Sequence, residues 1–212
     1  MKQYAVNEIF WSPQGEGMRA GQMSVFIRFT GCNLRCRMEP ADDSPGGFDC
    51  DTEFASGRKM LAGEIVSEAR RLVGKDASWY ATRKAWVVLT GGEPALQVDA
   101  ELINALHDAG FLCAIETNGS KDVSGLGIDW ITVSPKVAEH AVRQLTADEV
   151  KYVRGYGQAI PKPTCVATHQ LISPAFDGWS LDTEAVKWCL KLIKENPEWR
   201  LSMQQHKAWN VR

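Results

Sequence analysis

Nowhere in the 212 residues do about eighteen apolar residues follow one another, the run a helix needs to cross a bilayer. A membrane-spanning protein is therefore not expected. Met1 to Phe10 contain no basic stretch leading into an apolar run, so no export leader is read and a soluble, cytoplasmic protein is expected. Positive charge is not in excess: 24 Lys and Arg stand against 26 Asp and Glu, a net charge of −2. Such a balance creates no field that would draw the chain to nucleic acid or to an anionic bilayer, and a small-molecule substrate fits it better. Internal repeats and low-complexity tracts are also missing, which excludes solenoids and disordered linkers.

What is present is a 44% hydrophobic composition, enough for one sizeable core, and a single domain over residues 1–212 is expected. Six cysteines are too many to ignore. A reducing cytosol would keep them as thiols, so metal binding is a better question than disulfides. Cys113, Cys165 and Cys189 sit inside apolar or helical runs and read as core. Cys32, Cys36 and Cys50 lie among Gly, Asn, Arg, Pro and Asp, in a segment too long for an ordinary connection.

Residues 4–10 and 23–29 read as strands, residues 61–73 as a helix, and residues 85–89 as a buried strand followed by a helix over 98–109. Strands are expected at 111–115, 128–133, 165–172 and 200–203. Helices are expected at 147–153 and 182–195, the latter closed by Asn196-Pro197. Strands alternating with helices imply an α/β fold with a parallel sheet. The chain is shorter than a complete eight-unit barrel, typically about 250 residues, so a shortened, partly open (β/α) barrel is predicted. Chemistry then belongs at the strand C-terminal ends, where four polar clusters fall: 31–36, 90–94, 116–119 and 134–136.

Cys32 and Cys36, with three residues between them, can place two thiolates on one tight loop, and Cys50 can return as a third. A structural zinc site usually closes with four ligands, whereas three thiolates on a 4Fe-4S cluster leave one iron open to a small molecule. Unrelated surface thiols, or zinc with a histidine as fourth ligand, remain alternatives from the cysteines alone. In Thr90-Gly91-Gly92-Glu93-Pro94 the glycines permit close backbone approach to a ligand, and Glu93 can accept hydrogen bonds from an ammonium group. The same five residues also suit a plain turn before a helix.

Gly31-Cys32-Asn33-Leu34-Arg35-Cys36, Cys50-Asp51-Thr52, Thr90 to Pro94, Glu116-Thr117-Asn118-Gly119 and Ser134-Pro135-Lys136 together resemble the radical S-adenosylmethionine (SAM) superfamily. With Gln14-Gly15-Glu16-Gly17 and residues 204–207 added, the set resembles the 7-carboxy-7-deazaguanine synthase family over nearly the whole chain. The resemblance implies a 4Fe-4S cluster on Cys32, Cys36 and Cys50, Mg²⁺ at Thr52, and SAM along Asp49, Cys50, Asp51, Gly92, Glu93, Ser134, Pro135, Lys136, Ile172, Ser173 and Pro174. It further implies a pterin substrate, 6-carboxy-5,6,7,8-tetrahydropterin, held by Pro13, Gln14, Gly15, Glu16, Arg28, Thr90, His206 and the C-terminal Arg212. A flavodoxin or ferredoxin electron donor and a homodimer are the implied partners.

The sequence departs from the superfamily's common spacing in one place. Thirteen residues, 37–49, lie between Cys36 and Cys50, and an insertion is read there. Loop-closure entropy grows slowly with length, so such a loop need not move the thiolates. Two rivals stay open: a glycyl-radical activating enzyme, and a non-enzymatic metal module using the same cysteines with His140, His169 or His206.

Overall fold

The computed structural model describes residues 2–37, 39, 50, 52–76, 79, 82–177 and 180–211. Asp49, Asp51, Arg212 and all of the inserted segment except Arg37 and Glu39 lie outside the described residues.

The elements run in the order β1 (Gln3–Pro13), β2 (Met23–Phe29), β3 (Arg58–Leu61), α1 (Ala62–Val73), β4 (Ala85–Gly91), α2 (Ala100–Asp108), β5 (Phe111–Thr117) and β6 (Trp130–Val133). They continue with β7 (Thr146–Arg154), β8 (Val166–Pro174), the short pair β9 (Phe176–Asp177) and β10 (Ser180–Leu181), α3 (Thr183–Glu195), β11 (Trp199–Leu201) and α4 (Gln205–Trp209). Nine strands form one open sheet in the order β11-β8-β7-β6-β5-β4-β2-β1-β3. Within this sheet the strands from β2 across to β11 pair in parallel, while β1 is antiparallel to both β2 and β3, as β9 is to β10 in their separate pair. The parallel sheet that was predicted is present, extended at one edge by the antiparallel β1 and β3.

Period-two alternation sorts the strand residues onto two faces. On β2, Val25, Ile27 and Phe29 pack with Ile65 of α1 and Leu102, Ile103 and Leu106 of α2 in the larger core, all fully buried. Each such side chain contributes roughly 1.5–3 kcal/mol by leaving water. Phe26, on the other face, joins Phe10, Val88 and Ala114 in a smaller cluster, with the Phe10 and Phe26 rings stacked at 5.1 Å. The β1–β2 register slips between Val6 and Glu8. That bulge lets Val6 and Ile9 both serve the helix side and brings Glu8 opposite Arg28.

Two of the helices, α2 and α3, are capped at their N-termini by aspartate side chains. The Asp99 carboxylate accepts from Leu102 N at 3.1 Å, and Asp182 accepts from Glu184 N and Ala185 N. Cys113, Cys165 and Cys189 are buried, in line with their reading as core.

One element is corrected outright. Residues 147–153, expected as a helix, belong to strand β7. Val150 and Tyr152 face the core under α3, while Glu149 and Lys151 point to the opposite face and find partners there. A strand whose non-helix face is polar imitates an amphipathic helix in so short a window. β6, β7 and β8 are moreover linked by turns and loop, without an α-helix between them. No helix among the described residues is long and apolar enough to cross a membrane.

Candidate active site

The cysteine-bearing loop is anchored by backbone hydrogen bonds from several directions. Gly31 N donates to Phe54 O (2.8 Å), Glu93 N to Gly31 O (2.9 Å), and Cys50 N to Cys36 O (3.1 Å). The last of these joins the two flanks of the insertion, so Cys36 and Cys50 are neighbours despite their separation in sequence. Gly92 lies hard against this loop: a Cβ there would stand 2.1 Å from Gly31 O and 3.1 Å from Cys32 Cβ. Only glycine allows the β4 turn and the cysteine loop to touch.

Cys32, Cys36 and Cys50 line one cavity of about 640 Å³, together with Thr52, Gly91, Gly92, Glu116, Thr132, Ser134, Lys136, Lys151, Pro174, Glu16 and Gln204. These residues come from the C-terminal ends of β4, β5, β6, β7 and β8 and from the loops that follow β1, β2 and β11. The four polar clusters do share one rim. Burial pushes the Cys32 thiol up, and burial does the same at Cys36, where the Lys136 ammonium partly opposes it. A bound metal would remove those protons, since the thiolate is the ligand.

A tetrahedral zinc ion, with bonds of about 2.0–2.3 Å, requires its donors to converge closely. Among the described residues, the one group of three His, Cys, Asp or Glu donors lying within 4.8 Å of one another is His107, Cys113 and Asp129, far from this rim in the fold. Cys32, Cys36 and Cys50 share a cavity without closing on a point.

Glu93 is 1% exposed, and its two oxygens accept from Thr117 Oγ1 (2.6 Å), Asn118 N (2.7 Å) and Ala95 N (3.0 Å). Burial raises its pKa despite those bonds. Its visible role is to tie the β4 turn to the end of β5. Asn118 carries the link onward, donating to Asn33 of the cysteine loop at 3.0 Å.

The inner face of the sheet holds a second polar group. Gln14 Nε2 donates to Glu116 Oε1 (2.8 Å) and Thr90 Oγ1 to Glu116 Oε2 (3.3 Å). Lys151 and Glu16 form an ion pair, side chains 11% and 15% exposed, and Gln204 Nε2 donates to the free Glu16 oxygen at 3.0 Å. Burial disfavours both charges, yet Lys151 holds the Glu16 carboxyl below its ordinary value and Glu16 raises Lys151. Residues 14–18 are further held by Glu149, which accepts from Met18 N (2.9 Å) and Thr132 Oγ1 (2.8 Å), and by Ser202, whose Oγ accepts from Gly17 N (2.9 Å). Gly17 has φ +71°, and a Cβ there would stand 2.3 Å from Glu149 Oε1.

The predicted residues divide accordingly. Cys32, Cys36, Cys50, Thr52, Gly92, Ser134, Lys136, Pro174 and Glu16 line the cavity, and Gln14 and Thr90 reach it through Glu116. Ser173 is buried, and Ile172 packs on the helix side with Val150 and Tyr152. Arg28 is bound to Glu8 at 2.6 Å beside Phe10. His206 lies against Gly15, and burial lowers its pKa. His169, offered as a zinc ligand, stacks on Trp130 instead. Lys151 was missed because its strand reads as a helix, and alternating Ala147, Glu149, Lys151 and Val153 was the available signal. Glu116 and Gln204 stood inside motifs without being assigned a role.

A glycine-cradled rim of three cysteines on the C-terminal ends of parallel strands defines a radical SAM enzyme. No family model matches the chain. It is 40% identical to a 7-carboxy-7-deazaguanine synthase of Bradyrhizobium diazoefficiens, over 99% of each chain, and 41% identical to that of Burkholderia multivorans, over 98% and 99%. The crystal structure of QueE from Escherichia coli matches with a TM-score of 0.66 at 27% identity, covering 96% of this chain and 95% of that one. The chain belongs to the 7-carboxy-7-deazaguanine synthase family.

Proposed function

We propose that the chain is a radical SAM lyase that converts 6-carboxy-5,6,7,8-tetrahydropterin to 7-carboxy-7-deazaguanine with loss of ammonia, in 7-deazapurine biosynthesis. The observation that carries the reading is the joint lining of one cavity by Cys32, Cys36 and Cys50 and by the polar set Glu16, Glu116 and Lys151. Membership in the family supports it, and a glycyl-radical activating enzyme is disfavoured on the same ground.

The three cysteines would hold a 4Fe-4S cluster, with SAM along Asp49 to Asp51, Gly92, Glu93, Ser134 to Lys136 and the end of β8, and Mg²⁺ at Thr52. When bound, these groups supply one-electron cleavage of SAM to a carbon-centred radical. The chain's residues bind, orient and exclude water. Gly91 and Gly92 offer backbone at close range. Glu116, oriented by Gln14 and Thr90, presents a carboxylate suited to the amino and ring N–H donors of a pterin edge. Arg28 is assigned to the substrate carboxylate, and Lys151 gives a second cation that borders the cavity. Pro13, Gly15, His206 and Arg212 complete the assigned pocket.

The open sheet is read as a shortened, partly open barrel. Support comes from the cavity itself, which residues following β2 and β8 border together although four strands separate them in the sheet. A single catalytic unit working as a cytoplasmic homodimer, with a flavodoxin or ferredoxin as donor, completes the proposal.

The test is anaerobic reconstitution followed by turnover with SAM, dithionite, Mg²⁺ and the carboxytetrahydropterin, read by mass spectrometry. The deazapurine acid is expected from the wild type. Cys36→Ala is expected to lose most of its iron and sulfide together with turnover. Wild-type iron content in that variant would sink the cluster assignment, and SAM cleavage without the deazapurine would sink the substrate.

A further inference from the structure

At the opposite end of β5 from the active-site rim, three donors of different chemistry meet. His107 lies in the last turn of α2, Cys113 in the first half of β5, and Asp129 just before β6. A ring nitrogen of His107, the Cys113 sulfur and a carboxylate oxygen of Asp129 all lie within 4.8 Å of one another. His107 and Asp129 side chains are about a third exposed, at 33% and 31%, while Cys113 is fully buried behind them.

We propose that His107, Cys113 and Asp129 form a zinc site, separate from the three-cysteine rim, with water completing a tetrahedron on the exposed side. The donor set matches zinc's tolerance for sulfur, imidazole and carboxylate together. The three side chains are held in place by hydrogen bonds among themselves and the backbone. His107 Nε2 stands 2.8 Å from Asp129 Oδ2, and the same oxygen accepts from Cys113 N at 2.8 Å. Asp129 is held in turn by its own N–H, which donates to Cys113 O at 2.9 Å. Zinc would take the place of the thiol proton and of the contact between His107 Nε2 and Asp129 Oδ2. The ion would join the end of α2 to the starts of β5 and β6 and act as a staple.

The reconstituted holoenzyme is dialysed against micromolar zinc, its metal content is measured, and the zinc K-edge absorption is recorded. About one zinc per chain is expected, with a single sulfur and otherwise nitrogen or oxygen in its coordination. His107→Ala, in the last turn of α2 and checked for folding by its metal-free melting temperature, is expected to lose that zinc. The melting temperature should rise with zinc in the wild type and not in the variant. Zinc retained equally by His107→Ala, a sulfur-rich coordination from the rim cysteines, or no zinc retained by the wild type would each overturn the proposal. Iron and sulfide, counted in the same samples, report separately on the cluster.

Discussion

Lys151 and Glu16 carry opposite charges in a nearly closed space, so each depends on the other. Removing one partner of a buried pair leaves an uncompensated charge, at a cost of about 3–5 kcal/mol. Lys151→Met is expected to lower the melting temperature by several degrees and to reduce turnover more than iron content. Thermal denaturation and iron assay on the same sample check both. The pH window follows from the two shifts. Glu16 has its pKa lowered in the folded protein, so its contribution is whole above the ordinary 4.5 and disappears as pH falls through the lower folded value. Lys151 has its pKa raised, so its contribution is whole below the ordinary 10.5 and disappears as pH rises through the higher folded value. The pair therefore stabilises the fold across neutral pH, and the acid limb should flatten in a Glu16→Gln, Lys151→Met double variant. The pairing itself was not legible from local sequence, because the partners stand 135 positions apart. The cysteines were legible, since a cluster loop needs its thiols close together and unburied by apolar neighbours.

At the scale of elements, the segment from Gln14 to Met18 is kept in place by a neighbouring strand and by the chain's last turns. Glu149 on β7 is its main post, accepting from Met18 N on one oxygen and from Thr132 on the other. Glu149→Ala is expected to leave the buried Thr132 hydroxyl and the half-buried Met18 N–H without their acceptor, at about 1–3 kcal/mol for the buried group and less for the other. It should also raise KM for the pterin with little change in iron or in SAM cleavage. Glu149→Gln, which keeps an acceptor, should recover part of the loss. Equal damage to SAM cleavage would mean that Glu149 supports the whole sheet and not this segment. β7 is also where sequence reading failed. Its inward residues are charged because they face a site, and period-two alternation between charged and apolar residues is hard to separate from helical amphipathicity over seven positions.

At the scale of the molecule, the C-terminal residues close over the same segment: Gln205 N donates to Gly15 O at 2.9 Å, and Gln204 reaches Glu16. Among the described residues from 204 onward none is buried. Truncation before residue 204 is therefore expected to leave the melting temperature within a few degrees while weakening substrate binding severalfold, measured as KM. A collapse in stability would show that this tail belongs to the core. The antiparallel β1 and β3 illustrate the same scale of organisation. Residues 4–10 were read as a strand and 58–61 were not, and the direction of both in the sheet rests on pairing with β2 and with each other, which no local period encodes.

Motif chemistry, capping residues, the buried cysteines and most strand positions were written in the local order of residues, because spacing, backbone freedom and hydrophobic period act over a few positions. Fold and family were legible to that extent. The mixed sheet, the inward polar face of β7, and the Glu116 and Lys151 partners were settled by packing, since contacts such as Gln14 to Glu116 join residues 102 positions apart and exist only once the strands lie side by side.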